Sequence, residues 1–168
     1  MFIRPLSRDQ LARLIELAED TAPSQIIASR NRAMLLTLID GALRAGELIS
    51  ACKDDLSIDG SLVVHGKGAK TRQVALSEGT VAAINNYLAS RSGDSDYLFV
   101  NDSGSRLGYE AIKSLFHRWK KADPHYFNNI RLSARDDILL VISTKATGIQ
   151  VSHSDHAAFC SVFSFKSM

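Results

Sequence analysis

The sequence contains little of what would assign it to a specialised class of protein. Cys52 and Cys160 are its only cysteines, which argues against a disulfide framework and favours a reducing cytoplasm. The formal net charge is only +2, so bulk charge gives no reason to expect nucleic acid or a membrane as partner. The apolar run "ILLVI" at 138–142 is far too short to cross a bilayer, and the N-terminus has no signal-peptide pattern. We therefore expect a cytoplasmic protein with no membrane partner.

The composition is that of a soluble globular protein, with 168 residues, 45% hydrophobic and 23% charged. This length suffices for one domain with a sizeable core. The charges are unevenly distributed. Residues 65–72, "HGKGAKTR", and residues 113–121, "KSLFHRWKK", are rich in Lys and Arg and contain no acid. These two basic segments are the places where an anionic partner is expected to bind.

Hydrophobic periodicity predicts mainly helices. Apolar residues recur at helical spacing along several segments, and Ser7 with Gln10 has the spacing of a capping box at the start of the first. The predicted helices cover residues 5–20, 29–39, 45–52, 77–90, 109–121 and, in the less regular C-terminal part, 136–146. Residues 97–100 are expected to be extended, and residues 101–104 to form a turn.

The period changes between residues 62 and 76. Two β-rich pieces, 62–65 and 73–76, flank a turn rich in Gly and Lys, which is typical of a β-hairpin. Gly66 and Gly68 can take the positive φ that such a turn requires. Together the elements predict an α+β domain that is mostly helical and carries a small antiparallel β-hairpin or sheet.

Three segments, in this order along the chain, carry a resemblance to a known family. They are "RNRAMLLTLIDGALRAGELIS" at 30–50, "LVVHGKGAKTRQVAL" at 62–76 and "DYLFVNDSGSRLGYEAIKSLFHRWKKA" at 96–122. They resemble the catalytic domain of tyrosine recombinases, the phage integrase family, over roughly residues 5–122. The resemblance implies an integrase-type catalytic domain that binds double-stranded DNA and acts in site-specific DNA recombination and integration.

The resemblance also implies roles for particular residues. Arg44 matches the Arg that binds the scissile phosphate in this family, because a planar guanidinium can hold two phosphate oxygens as charge develops on them. Glu47, three residues further on, is expected to orient Arg44. Lys67, in the hairpin turn, matches the general acid that protonates the leaving 5′-oxygen. The alternatives are an ordinary helical ion pair for Arg44 and Glu47 and a solvated turn lysine for Lys67.

The remaining cations of the two basic segments are expected to contact the DNA backbone from one concave face rather than to do chemistry. This candidate DNA-binding set consists of Lys70, Arg72, Lys113, Arg118, Lys120 and Lys121. No metal or other cofactor is expected, because the cationic side chains supply the charge. A homo-oligomer on DNA, associated with the nucleoid, is a further expectation.

The C-terminal part departs from the pattern of the family. The family's His-x-x-Arg motif should fall within "RLSARDDILLVIST" at 131–144, but Arg135 and Ile138 occupy its two key positions. The segment "IQVSHSD" at 149–155 is similar to the family's Gly-His-Ser element, and the tyrosine nucleophile would then fall near Val162 or Phe163. The sequence therefore predicts an incomplete active site.

All the tyrosines lie upstream of these elements, at Tyr87, Tyr97, Tyr109 and Tyr126. Tyr97 and Tyr109 are expected to be packing residues, and Tyr126 is the candidate for a substitute nucleophile. We expect a partial tyrosine-recombinase catalytic domain over residues 1–124 and a divergent C-terminal tail over residues 125–168. A frameshifted or truncated gene, or a relative without catalysis, would produce this pattern.

Three hypotheses about function remain open at this point. The first is a tyrosine recombinase that acts in strand exchange. The second is a non-catalytic DNA-binding remnant or regulator on the same fold, which explains the missing nucleophile better. The third is a protein-interaction domain without a role on DNA, in which the basic segments are merely solvated. Because phosphate contacts make affinity strongly salt-dependent, a salt titration of DNA binding separates the third hypothesis from the others.

Overall fold

The computed structural model describes residues 7–66, 68 and 70–127. Helices dominate this part of the chain, and one β-hairpin is inserted among them. The elements are α1 (Arg8–Asp20), α2 (Gln25–Asp40), α3 (Ala45–Ser50), a 3-10 turn (Lys53–Asp55), β1 (Ser61–His65), β2 (Thr71–Ala75), α4 (Glu78–Ser90), α5 (Tyr109–Ala122) and α6 (Pro124–Phe127). The α+β class and the small antiparallel sheet agree with the prediction.

Helix α1 begins at the capping box that the sequence predicts. The Ser7 hydroxyl accepts the Gln10 N–H at 3.2 Å, and the Gln10 side chain accepts the Ser7 N–H at 2.9 Å. Two backbone donors that would otherwise lack a partner at the helix start are thereby satisfied. The apolar stripe of α1, which includes Leu11, Leu14 and Ala18, is buried.

Helix α2 is the central helix of the described fold and is packed by both α1 and α4. It begins at Gln25, where Ser24 caps it, and therefore starts four residues before the predicted position of 29. The prediction missed this turn because α2 is buried on most of its faces and so lacks the one-sided apolar pattern of a surface helix. Arg30 and Asn31, two of its polar residues, are also buried.

One hydrophobic core joins the helices and the hairpin. Its largest fully buried side chains include Trp119, Tyr87, Phe99, Leu14 and Met34. The Tyr87 and Phe99 rings stack with their centroids 5.9 Å apart. Tyr97 and Tyr109 pack against this core from partly buried positions, as the sequence predicts.

Strands β1 and β2 form a two-stranded antiparallel sheet, with Ser61 opposite Ala75 and His65 opposite Thr71. The turn between them takes positive φ at Gly68, with a value of 78°, but not at Gly66. Of the two glycines that could supply positive φ, Gly68 is the one that does so. A Cβ at residue 66 would lie 3.3 Å from the Lys70 carbonyl oxygen, so lack of space explains the glycine there.

The extended segment around residues 97–100 makes isolated bridges rather than a full strand. Cys52 pairs with Tyr97, and Val100 pairs with Arg106. The turn predicted at 101–104 is present, and the Asn101 side chain accepts the N–H groups of Ser103 and Ser105. Arg30 donates to the Val100 carbonyl at 3.0 Å and thereby ties this segment to α2.

Several polar side-chain contacts join parts of the described chain that are far apart in sequence, and four of them have spans that are nested one inside the next. From the innermost outward they are Arg72–Glu47, Thr80–Asp40, Arg30–Val100 and Arg13–Asp123, with separations of 25, 40, 70 and 110 residues.

Helix α6 starts at Pro124, where the sequence shows no clear period. The helix predicted near 136–146 lies outside the described residues, as do Arg135, Ile138, His153 and Val162. No helix in the described part of the chain is long and apolar enough to cross a membrane.

Candidate functional site

The turn between α2 and α3 places Arg44 at the surface. Helix α2 ends at Asp40, and Ala42 then takes the left-handed conformation with φ of 46°. This reversal returns the Leu43 side chain to the core, where it is 3% exposed. The next residue, Arg44, is the N-cap of α3 and has an extended backbone. Its side chain is 53% exposed.

The Glu47 carboxylate is the centre of this site. Its side chain is only 5% exposed. One of its oxygens accepts the Arg44 backbone N–H at 2.9 Å, and the two oxygens accept Nη1 and Nη2 of Arg72 at 2.7 and 3.0 Å. Arg44 Nη1 lies 3.6 Å from the nearer Glu47 oxygen. Glu47 therefore fixes the backbone of Arg44, while its close guanidinium partner is Arg72.

The expected Arg44–Glu47 pair is present at 3.6 Å, and Arg72 is a second and closer guanidinium partner of Glu47 that the sequence did not indicate. The i,i+3 spacing on one helix indicates that pair, but it gives no sign of a cation that arrives from a strand 25 residues later. The bidentate contact with Arg72 is the shorter one because the flat guanidinium edge of Arg72 faces the carboxylate directly. Arg72 Nη2 also lies 3.4 Å from the Ala42 carbonyl oxygen.

Opposing effects set the protonation of the Glu47 carboxyl. Burial raises its pKa, whereas the hydrogen bonds from Arg72 and from the Arg44 N–H lower it, and the net pKa lies below the ordinary value of 4.5. The same hydrogen bonds with Glu47 raise the pKa of Arg72. The pair is therefore an ion pair at neutral pH.

The hairpin turn lies next to this carboxylate. The Gly66 N–H donates to the Lys70 carbonyl at 2.7 Å and closes the base of the turn, and Lys70 is exposed. A Cβ at Gly66 would lie 3.6 Å from a Glu47 carboxylate oxygen, so the turn begins directly over the carboxylate. The role assigned to Lys67 concerns a residue outside those that the structure describes.

Helix α5 presents the second basic segment. Its buried face contains Ile112, Leu115, Phe116 and Trp119, and its other faces contain the cations. Lys113, Arg118 and Lys121 are exposed and Lys120 is half-buried. Lys113 lies 3.5 Å from Glu110 in an exposed i,i+3 pair. Helix α3, which Arg44 caps, packs against both β1 and α5 and so lies between the two basic segments.

One contact near the turn was not predicted from the sequence. His65, the last residue of β1, lies 3.0 Å from the Asp55 carboxylate and fixes the end of the strand to the 3-10 turn. The pair is separated by ten residues and joins two different elements, so no helical or strand period indicates it. Among the described residues, no group of three or more His, Cys, Asp or Glu side chains is arranged to hold a metal ion.

The described tyrosines differ in access to the surface. Tyr87 is 1% exposed, and its hydroxyl accepts the Val100 N–H at 3.3 Å. Tyr97 lies beneath the Arg106 guanidinium, 5.4 Å from the ring centroid. Tyr126 is 38% exposed and lies in α6.

Known proteins similar to this chain agree with its motifs and fold. The model of the phage integrase family matches residues 4–137. The tyrosine recombinase XerA of Thermococcus kodakarensis is 32% identical over 120 residues, which cover 70% of this chain and 40% of that protein. The tyrosine recombinase XerC of Neisseria meningitidis is 33% identical over 119 residues, which cover 69% of this chain and 38% of that protein.

Solved structures show the same fold. The crystal structure of XerA recombinase matches with a TM-score of 0.60 and 31% identity, over 73% of this chain and 43% of that chain. A lambda integrase dimer bound to a COC′ core site matches with a TM-score of 0.63 over 98% of this chain and 58% of that one, and its 17% identity supports the fold alone. The chain spans about 40% of the length of the curated XerA that it matches. With its family model matched from residue 4 to residue 137, the chain belongs to the phage integrase family.

Proposed function

We propose that this chain binds double-stranded DNA as a recombinase catalytic domain does and acts in site-specific DNA recombination or integration. The observation that carries the proposal is the placement of Arg44. Its backbone is fixed by the buried Glu47 carboxylate, while its side chain is 53% exposed beside the hairpin. A cation held by its backbone and extended toward solvent is arranged to meet a phosphate without reorganising the loop.

In this proposal Arg44 holds the non-bridging oxygens of the scissile phosphate. Its planar guanidinium can donate two parallel hydrogen bonds to them, and these bonds strengthen as negative charge develops on the phosphate. Lys67 protonates the leaving 5′-oxygen as a general acid. Glu47 holds the loop rather than contacting the DNA.

The proposed DNA-binding surface extends from the hairpin to α5. Lys70 beside the turn and Lys113, Arg118, Lys120 and Lys121 on α5 contact backbone phosphates, which set affinity and position rather than sequence preference. Helix α3 packs against β1 and α5, which supports one continuous surface. Solved relatives include XerH bound to its difH substrate and a lambda integrase tetramer on a Holliday junction. By analogy we propose a homo-oligomer on DNA for this chain.

A second candidate function is DNA binding without strand cleavage. Cleavage by this family's route needs a tyrosine hydroxyl that can reach the phosphate. Tyr87 is buried, Tyr97 and Tyr109 pack against the core, and no tyrosine follows Tyr126 in the sequence. We propose that residues 1–124 form the partial catalytic domain and that the sequence of residues 125–168 departs from the family's catalytic pattern. Both candidate functions require the same DNA-binding surface.

A salt titration of duplex DNA binding tests the shared part of the proposal. Lys70→Gln and Lys121→Gln, both at exposed cations of the proposed surface, should each lower affinity for any duplex sequence and reduce the slope of log affinity against log salt by about 0.9. Arg32→Gln is the matched control, because it also removes one positive charge but from a cation paired with Glu19 at 3.0 Å. Equal slopes for all four proteins would reject the DNA-binding surface and favour the protein-interaction hypothesis.

A further inference from the structure

We propose that Arg72 is a positioning residue for Arg44, acting through Glu47, and not a phosphate contact. The inference rests on the proposed function, because it assumes that Arg44 meets the DNA. It replaces the role that Arg72 has in the candidate DNA-binding set. Its basis is the geometry by which one carboxylate joins Arg72 to the turn that carries Arg44.

The two Nη atoms of the Arg72 guanidinium already have a hydrogen-bond partner. Nη1 and Nη2 donate to the two different oxygens of Glu47 at 2.7 and 3.0 Å. The carboxylate thus occupies the edge formed by the two Nη atoms, which is one of the edges that could hold a phosphate in two parallel hydrogen bonds. To bind DNA through that edge, Arg72 would have to abandon a carboxylate whose side chain is only 5% exposed, which would leave a buried charge without its partner.

The position of Arg72 on β2 makes it a rigid support. Arg72 stands opposite Val64 in the sheet, and Val64 is 3% exposed in the core. The guanidinium therefore extends from a strand held by a ladder of hydrogen bonds rather than from the turn itself. It reaches across to α3, so the hairpin and the start of α3 are joined through one ion pair.

The same ion pair fixes the position of the Arg44 backbone. Glu47 accepts the Arg44 N–H at 2.9 Å with the oxygen that Nη2 of Arg72 also contacts. Arg72 Nη2 further lies 3.4 Å from the Ala42 carbonyl oxygen, on the other side of Arg44. Residues on both sides of the Arg44 side chain are thus fixed by the position of Arg72. A cation that only balanced charge would not need this two-point geometry.

The test compares variants of the full chain in duplex DNA binding at several salt concentrations. Arg72→Lys keeps the charge but cannot make the bidentate contact. A direct phosphate contact would survive this change, whereas a positioning role predicts a loss of affinity of about tenfold. Wild-type affinity and slope in Arg72→Lys would overturn the proposal.

The background of Arg44→Gln separates the two roles further. With Arg44 already removed, Arg72→Gln should have no additional effect on the salt slope, because its contribution passes through Arg44. Lys70→Gln is the reference for a direct contact and should lower the slope by about 0.9 in both backgrounds. A further fall of about 0.9 on adding Arg72→Gln to Arg44→Gln would show that Arg72 contacts phosphate and would overturn the proposal.

A measurement without DNA keeps this inference separate from the proposed function. The hydrogen exchange rate of the Arg44 amide reports its bond to Glu47, and in Arg72→Lys it should rise about tenfold relative to the amides of α2. The same amide in Lys70→Gln should exchange as in the wild type. An unchanged Arg44 amide in Arg72→Lys would overturn the positioning role even if DNA binding is normal. If the wild-type chain fails to bind DNA, the proposed function fails, and the amide result still decides whether Arg72 positions residue 44.

Discussion

Glu47 shows, at the residue scale, how one buried carboxylate can organise a surface site. It is held by the Arg44 N–H and by Arg72, and its charge is retained because these donors offset the cost of burial. Arg44 and Glu47 could be identified from the sequence because they lie three residues apart in a local motif. The partnership with Arg72 could not, because it depends on how the hairpin docks onto α3, which no period of either segment encodes.

The first residue-scale prediction concerns the pH dependence of stability. The pKa of Glu47 is lower in the folded chain than its ordinary value of 4.5, so its contribution to stability is present above that value and declines as the pH falls through the folded-state pKa. Glu47→Gln should lower the free energy of unfolding by about 1–3 kcal/mol near neutral pH. The difference from wild type should narrow below about pH 4.5 in urea titrations. A difference that is constant down to about pH 3 would contradict this account.

The second residue-scale prediction concerns Ala42. Its φ of 46° lies in the left-handed region, which costs an L-residue roughly 1–2 kcal/mol and which glycine occupies freely. Ala42→Gly should therefore stabilise the chain by about 0.5–1 kcal/mol, after the greater entropy of the unfolded glycine chain is subtracted. Ala82→Gly, at an exposed site within α4, should instead destabilise by about 1 kcal/mol. Thermal unfolding of both variants checks the opposite signs, and destabilisation by both would refute the strain at Ala42.

Capping explains which boundaries were predictable at the scale of elements. Helices α1 and α4 begin where the sequence places a serine cap, at Ser7 and Ser77, because a hydroxyl there satisfies a free backbone donor. Helix α2 begins earlier than predicted. Ser24 caps its first turn, but that turn was missed because it carries no one-sided apolar pattern. The hairpin was located from its turn glycines, although Gly66 serves for space and only Gly68 for positive φ.

The element-scale prediction concerns the start of α4, where two elements meet. The Ser77 hydroxyl accepts the Thr80 N–H, and the Asp40 carboxylate at the end of α2 accepts the Ser77 N–H at 2.8 Å. Ser77→Ala should cost about 0.5–2 kcal/mol in the free energy of unfolding, because the first turn of α4 loses its cap. Ser92→Ala, at an exposed position just after α4, should change it by less than about 0.5 kcal/mol. Equal effects of the two substitutions would argue against the cap.

The described part of the chain has the integrase-type catalytic fold, and the family was recognisable because three motifs occur in order along the sequence. Each motif taken alone would have a simpler explanation as a surface ion pair, a turn lysine or an amphipathic helix. It is their order along the chain that distinguishes the family. In the fold, Arg44, the hairpin and α5 lie around α3. The family model continues to residue 137, but Arg135 and Ile138 stand at the two key positions of the His-x-x-Arg motif, so the sequence of the tail departs from the order seen upstream.

The whole-molecule prediction is that the chain forms no covalent adduct with DNA. Such an adduct is a 3′-phosphotyrosine, and no tyrosine follows Tyr126 to provide it at the family's position. A missing electrostatic donor alone lowers the rate by about 10²–10³, and a missing nucleophile removes the covalent step. We expect no denaturation-resistant band on a nicked suicide substrate, even at high protein concentration. A band abolished by Tyr126→Phe or Arg44→Ala would contradict this prediction and show that the chain cleaves DNA as an active recombinase.

From loop-closure entropy alone, the four nested side-chain contacts predict an order in which they close during folding. Closing a loop costs more entropy as the loop lengthens, by about 0.6 kcal/mol per doubling, so the span of 25 residues between Glu47 and Arg72 closes most easily. That closure shortens the path between Asp40 and Thr80, which in turn brings Arg30 toward Val100 and finally α1 toward the end of α5. On the ribosome the innermost pair is also the first to have both partners synthesised. The turn between α2 and α3 that carries Arg44 would then form early, and its geometry would be set before the outer helices pack around it.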